Sequence, residues 1–153
     1  MTNAHLITTF YRAFADGDAE GMIDCYHADV VFEDPAFGRL EGERARAMWR
    51  MLLSSDGNPR IHFSDVEAND TTGSAEWMAH YQFGAKKRNV VNMVVANFRF
   101  QDGLIIEHTD TFDLWAWSRQ ALGLNGLLLG WSGFMRNQIQ ATTKERLDRF
   151  MAG

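Results

Sequence analysis

His108 and Asp110 are separated only by Thr109, in a run from Leu104 to Phe112 that reads as a β-strand. Residues two apart along a strand share a face about 7 Å apart, so both side chains can reach one small ligand. A carboxylate beside an imidazole favours the imidazolium and fixes its tautomer, which poises the pair for proton transfer near neutral pH. The same two groups can instead hydrogen-bond each other and nearby backbone, satisfying buried polarity without catalysis. A third carboxylate, Asp34, precedes Pro35, where an Asp initiates a turn as readily as it serves a site. His108-Thr109-Asp110 offers two metal ligands on one face, short of the dense His, Cys and carboxylate spacing of a zinc or iron centre, so no metal is expected. No Gly-rich loop links a strand to a helix and no Gly-x-Ser-x-Gly elbow occurs, so no nucleotide or other cofactor is expected either.

The elements that must hold these residues follow from apolar period. Leu6, Ile7, Phe10, Tyr11 and Phe14 recur at helical spacing and stop at Asp16-Gly17. Asp18 is a natural N-cap for a second helix, read through Met22, Ile23 and Tyr26 and closed by His27 to Asp29. Val30 to Phe32 forms a short β-prone run that ends at Asp34-Pro35. A third amphipathic helix spans Glu43 to Leu53 and stops before Asp56-Gly57-Asn58-Pro59. The period then falls to two, giving strands at Arg60 to Glu67, Ser74 to Phe83, Asn89 to Gln101 and Leu104 to Phe112, joined by tight turns as an antiparallel meander. A helical tail follows, Leu114 to Leu122 capped by Gly123, then a final helix capped by Ser132 and bearing Phe134, Met135, Ile139, Leu147 and Phe150. Trp115, Trp117 and Trp131 cluster at the join, where core packing is the first expectation and a lid, with Leu127 to Leu129, the alternative.

The bulk numbers bound the function classes. With 153 residues the chain suits one domain, core 4–113 and tail 114–153, able to bury a core without disulfide or metal. A net charge of −5 with mixed signs argues against nucleic-acid or anionic-membrane binding, and Lys86, Lys87 and Arg88 read as a solvated hairpin tip. Cys25, the only cysteine, precludes an intramolecular disulfide; with no signal peptide evident, a cytoplasmic location is expected. The strand from Asn89 to Gln101 is apolar on both faces, with Val91, Met93 and Val95 opposite Val90, Val94, Ala96 and Phe98. A twofold homodimer through the outer sheet face is the expected partner.

In this order the chain resembles the nuclear transport factor 2-like superfamily, in its SnoaL-like and ketosteroid isomerase-like branch. The resemblance covers about residues 4–113. It rests on Phe10-Tyr11-Arg12-Ala13-Phe14 before Gly17-Asp18, on Val31-Phe32-Glu33-Asp34-Pro35, on Gly42 opening a helix, and on Phe98-Arg99-Phe100 before Asp102-Gly103. It implies an α+β fold, a cone-shaped curved antiparallel or mixed sheet wrapped around the N-terminal helices, with a pocket inside. Asp34 matches the general base of the ketosteroid isomerases, but their two oxyanion donors fall on Phe10 and Ala96, which removes that steroid chemistry. Arg99, the one plausible sheet arginine for epoxide hydrolase chemistry, has the outward parity. The resemblance puts Trp77, Tyr81, Asn92, Phe98, His108, Asp110 and Phe112 on the pocket face. The expected site is therefore Asp34, His108 and Asp110 as the catalytic set, with Tyr11, Trp77, Tyr81, Asn92, Phe98, Phe112 and Trp115 as ligand contacts. That set suits acid–base chemistry of isomerase, cyclase or hydrolase type on an apolar small molecule; a non-catalytic ligand-binding module and a protein-interaction domain are the alternatives.

Overall fold

The computed structural model describes residues 2–54, 59–123 and 133–153. Among the described residues five helices and six strands follow in the order α1 (Asn3–Ala15), α2 (Ala19–Ile23), β1 (Tyr26–Asp34), β2 (Gly38–Glu41), α3 (Glu43–Leu52), β3 (Arg60–Ala68), β4 (Thr72–Phe83), β5 (Arg88–Gln101), β6 (Leu104–Thr111), α4 (Leu114–Leu122) and α5 (Gly133–Met151). The expected Ser132 cap, Trp131, the segment 127–129 and the turn at 56–58 lie outside the described residues. Among the described residues no helix is long and apolar enough to cross a membrane.

The sheet order is β2-β1-β6-β5-β4-β3. Strands β3 to β6 form the expected antiparallel meander, and β1 joins it by pairing parallel to β6, which makes the sheet mixed. The inner face closes on α1 and α3. Leu6, Ile7, Phe10, Tyr11 and Phe14 of α1 are buried against Phe98, Ala96 and Ala75 of the sheet and Trp49 of α3. Burying each large side chain there contributes about 2 kcal/mol, and this packing overrides weak local propensities.

Two local readings change. Tyr26 does not close the second helix: α2 ends at Ile23, and Tyr26 opens a strand of nine residues in which Tyr26, Val30 and Phe32 are buried. A helix of one turn has too little hydrogen bonding to hold its own C-terminus once the chain can pair with a sheet. The short strand β2, too brief to show an apolar period, folds back on β1 after the Asp34-Pro35 turn, with Gly38 at φ 71°. N-terminal to Val95, β5 has no β6 partner and would expose an edge. There α4 lies alongside it, and the Gln120 side chain amide accepts from Val91 N (2.8 Å) and donates to Val91 O (3.1 Å), as a neighbouring strand would.

The two faces of β5 differ as the alternation demands. Val90, Val94, Ala96 and Phe98 are buried, whereas Val91, Met93 and Val95 are exposed at 38, 72 and 45 %. Arg99 faces outward beside Glu107, at 3.7 Å.

Candidate functional site

The parallel pairing of β1 and β6 decides which carboxylates meet. Phe32 lies opposite His108 and Glu33 opposite Thr109, so Asp34 falls level with Asp110 on the adjacent strand, with the same inward parity. The two carboxylates are therefore side by side, a strand spacing of about 5 Å apart at the backbone, and not facing each other across the cavity. A bulge in β1 between Tyr26 and Val31 sets this register and lets Tyr26 reach the same inner layer.

Behind Asp110 runs a buried chain of hydrogen bonds. Trp49 Nε1 donates to Tyr26 Oη (2.8 Å), Tyr26 Oη meets His108 Nδ1 (2.8 Å), and His108 Nε2 meets Asp110 Oδ1 (2.8 Å). Because indole can only donate, the Tyr26 oxygen accepts from Trp49 and its own proton turns to Nδ1. Nε2–H then points at Asp110, and one neutral tautomer satisfies the whole chain. Trp77 Nε1 adds a longer contact to the same Oδ1 at 3.4 Å. Asp110 Oδ2 accepts no hydrogen bond among the described residues.

His108 has no exposed surface. Phe98, Phe32 and Phe10 surround it with ring centroids at 4.5, 5.1 and 5.4 Å, and Trp49 stacks nearly parallel at 6.3 Å. It thus sits one layer behind the cavity wall, and its polar contact on the cavity side is Asp110.

Asp34 is held differently. Its Oδ1 accepts from the backbone N–H of Ala36 (2.9 Å) and Phe37 (2.6 Å), so it both starts the turn and opens on the cavity. Burial pushes its carboxyl up to about 7, the Phe37 and Ala36 N–H groups oppose the rise, and the neighbouring Asp110 charge adds to it. A carboxyl there is part protonated at neutral pH. The turn is clamped from outside by α5, where Gln140 Nε2 donates to Pro35 O (3.1 Å) and Thr143 Oγ1 to Ala36 O (2.7 Å). Leu147 is fully buried beneath that helix, and Arg44 pairs with Asp148 at 2.7 Å.

The cavity so bounded measures about 660 Å³. The fold brings Asp34, Trp77, Tyr81, Asn92, Asp110 and Phe112 to its wall. Tyr81 Oη accepts from Trp117 Nε1 at 2.6 Å, which fixes the ring; burial, ahead of the Asp34 charge, raises its phenol. Tyr11, Phe98 and Trp115 are not in the wall. Tyr11 and Phe98 belong to the core beneath it, and Trp115 is exposed at 36 % with the Arg119 guanidinium 4.1 Å over its ring. The Tyr11 hydroxyl is buried without a protein partner among the described residues, and burial raises its phenol well above the ordinary value, with Asp110 and Tyr26 adding to it. Sequence reasoning missed Tyr26 and Trp49, the far end of the His108 chain, and the α5 wall. The inward series Tyr26, Val30, Phe32, Asp34 was the available signal for the first; a contact between residues 26 and 49 has none. Among the described residues no cluster of three or more His, Cys, Asp or Glu is placed to hold a metal.

Solved structures share this architecture. One is a candidate polyketide cyclase from Xanthomonas campestris pv. campestris, with 25 % identity, TM-score 0.65, and 76 % of this chain and 93 % of that one covered. Another is an LEH-like epoxide hydrolase of M. tuberculosis, with 21 % identity, TM-score 0.65 and coverage of 81 % and 92 %. A hypothetical protein of ketosteroid isomerase-like fold from Catenulispora acidiphila DSM 44928, in complex with trimethylamine, shows 14 % identity, TM-score 0.66 and coverage of 76 % and 91 %. The last two show likeness of fold alone. No curated protein matches the chain in sequence. The SnoaL-like domain model matches residues 7–108, two-thirds of the sequence, and with these neighbours it establishes that the chain belongs to the SnoaL-like family of the nuclear transport factor 2-like superfamily.

Proposed function

We propose that the chain is a cofactor-independent enzyme that moves protons on an apolar small molecule, in chemistry of isomerase, cyclase or hydrolase type. The observation that carries this reading is the pair Asp34 and Asp110, side by side on adjacent strands and open to one largely aromatic cavity. Asp110, oriented by His108 and Trp77, takes a proton from carbon next to a carbonyl. Asp34 in its protonated form donates to the oxygen where charge develops, and the reverse transfers release the product. Neighbouring carboxyl groups, one of them desolvated and raised to about 7, are a recurrent arrangement for such exchange. His108 is a positioning residue in this scheme, because it touches Asp110 and not the ligand.

Exchange of the α-protons of 2-tetralone in deuterated buffer, followed by proton NMR, tests it. The wild-type protein is expected to accelerate exchange over buffer near pH 7. Asp110→Asn and Asp34→Asn should each lower that rate by about a hundredfold, the low end for a lost general acid or base. Exchange that is accelerated equally by both variants would refute the assignment. A non-catalytic binding module is the second reading, favoured by Phe10 and Ala96, both fully buried, at the two oxyanion-donor positions of the resemblance. That module predicts binding of 2-tetralone with no acceleration at all. We also propose a homodimer through the outer face of β5, where Val91, Met93 and Val95 present exposed apolar surface.

A further inference from the structure

The α5 helix lends the cavity a single stripe, Gln138, Ile139, Thr142, Thr143 and Arg146, spaced so that one helical face looks in. Among the described residues Arg146 is the only cationic one in the wall, and it is exposed, which places it at the mouth. Two other arginines at this helix are paired, Arg149 with Glu145 and Arg44 with Asp148. Arg146 itself has no hydrogen bond or ion pair to any described residue. The inner wall offers the opposite charge, because the acidic pair Asp34 and Asp110 stands there and, with Asp34 as the protonated partner, still presents Asp110 as the carboxylate base. An anionic group on a ligand is therefore repelled from the inner end and attracted at the rim, while an apolar body fits the aromatic wall between.

Resting on the reading of the cavity as a small-molecule site, we infer that its ligand is an amphipathic monoanion: an apolar, ring-bearing body whose carboxylate pairs with Arg146 at the mouth. The guanidinium fork matches a carboxylate in two parallel hydrogen bonds, so Arg146 both selects the charge and sets which end of the ligand enters first. The opposite end, the one carrying the reactive carbonyl, is then delivered to Asp34 and Asp110. Arg146 is thus a specificity residue contributed by the C-terminal helix, beyond the segment 7–108 that the family model matches.

The test uses two probes of like shape, 2-naphthoate, ionised at neutral pH, and its neutral methyl ketone 2-acetylnaphthalene. Quenching of tryptophan fluorescence reads both, since Trp77 and Trp117 line the cavity. The wild-type protein is expected to bind the naphthoate about tenfold more tightly than the ketone, a modest ratio because the pair is solvated at the rim. Arg146→Gln should weaken naphthoate binding about tenfold and leave the ketone unchanged, while Arg149→Gln changes neither. Equal affinity of the wild type for both probes, or an equal loss of both in Arg146→Gln, overturns this inference and leaves the cavity reading standing. Binding of neither probe overturns the cavity reading and this inference with it.

Discussion

Asp34→Asn separates the energetic claim about this site from any claim about turnover. The Asp34 carboxyl is raised from 3.8 to about 7, first by burial and then by the Asp110 charge, against the N–H groups of Phe37 and Ala36. The folded chain therefore holds this proton more tightly than the unfolded chain. The stability that the group contributes is fully present below about pH 4, falls as the pH rises, and is gone once the pH passes about 7. At about 1.4 kcal/mol per unit, a rise of this size corresponds to about 4 kcal/mol, of which roughly three-fifths falls between pH 5 and pH 8. Asp34 is half-buried and opens on a cavity that solvent can enter, so screening reduces the measurable part to about 1–2 kcal/mol. The asparagine side chain keeps an oxygen for the Ala36 and Phe37 N–H groups and carries no charge at any of these pH values. Urea denaturation of both proteins at several pH values between those limits gives the difference directly. Asp34→Asn is expected to gain about 1–2 kcal/mol on the wild type as the pH rises through that range. A difference that stays constant, or one that moves the other way, would refute the account of Asp34 as a desolvated carboxyl coupled to Asp110.

Two further outcomes follow from burial and exposure. Tyr11→Phe removes a hydroxyl that has no protein partner among the described residues while keeping the ring stacked on Phe63, so the variant should be as stable as the wild type or up to about 1 kcal/mol more stable; a loss above about 1 kcal/mol in urea denaturation would contradict the assignment. Sedimentation at micromolar concentration should give a dimer for the wild type and a monomer for Met93→Lys, since Met93 is the most exposed of the three apolar residues on the outer face of β5; a monomeric wild type removes the homodimer.

Amino-acid order alone was enough for α1, α3 and the four-strand meander, because each rests on a period that one stretch of chain repeats for itself. The Asp18 cap and the Gly17 and Gly123 stops were legible for the same reason: a side chain or a positive φ acts on its own neighbours. So was the inner face of β5, since alternation assigns Val90, Val94, Ala96 and Phe98 to one side whatever the sheet order. The family followed from the order of these pieces, and the matched segment confirms it.

Where β1 lies was not legible. Tyr26 completes a plausible helical stripe after Met22 and Ile23, and only pairing with β6, nearly 80 residues further on, makes it the start of a strand. That pairing brings Asp34 next to Asp110, gives His108 a second partner in Tyr26, and draws Trp49 into the same chain of hydrogen bonds. The sequence could name His108, Asp110 and Asp34 as polar groups in an apolar setting, because residue type and strand parity are local properties. Which of them faces the cavity and which stands behind it depended on β-sheet register and on α5 packing against the Asp34 turn. Those contacts join residues a hundred positions apart, and no local period records them.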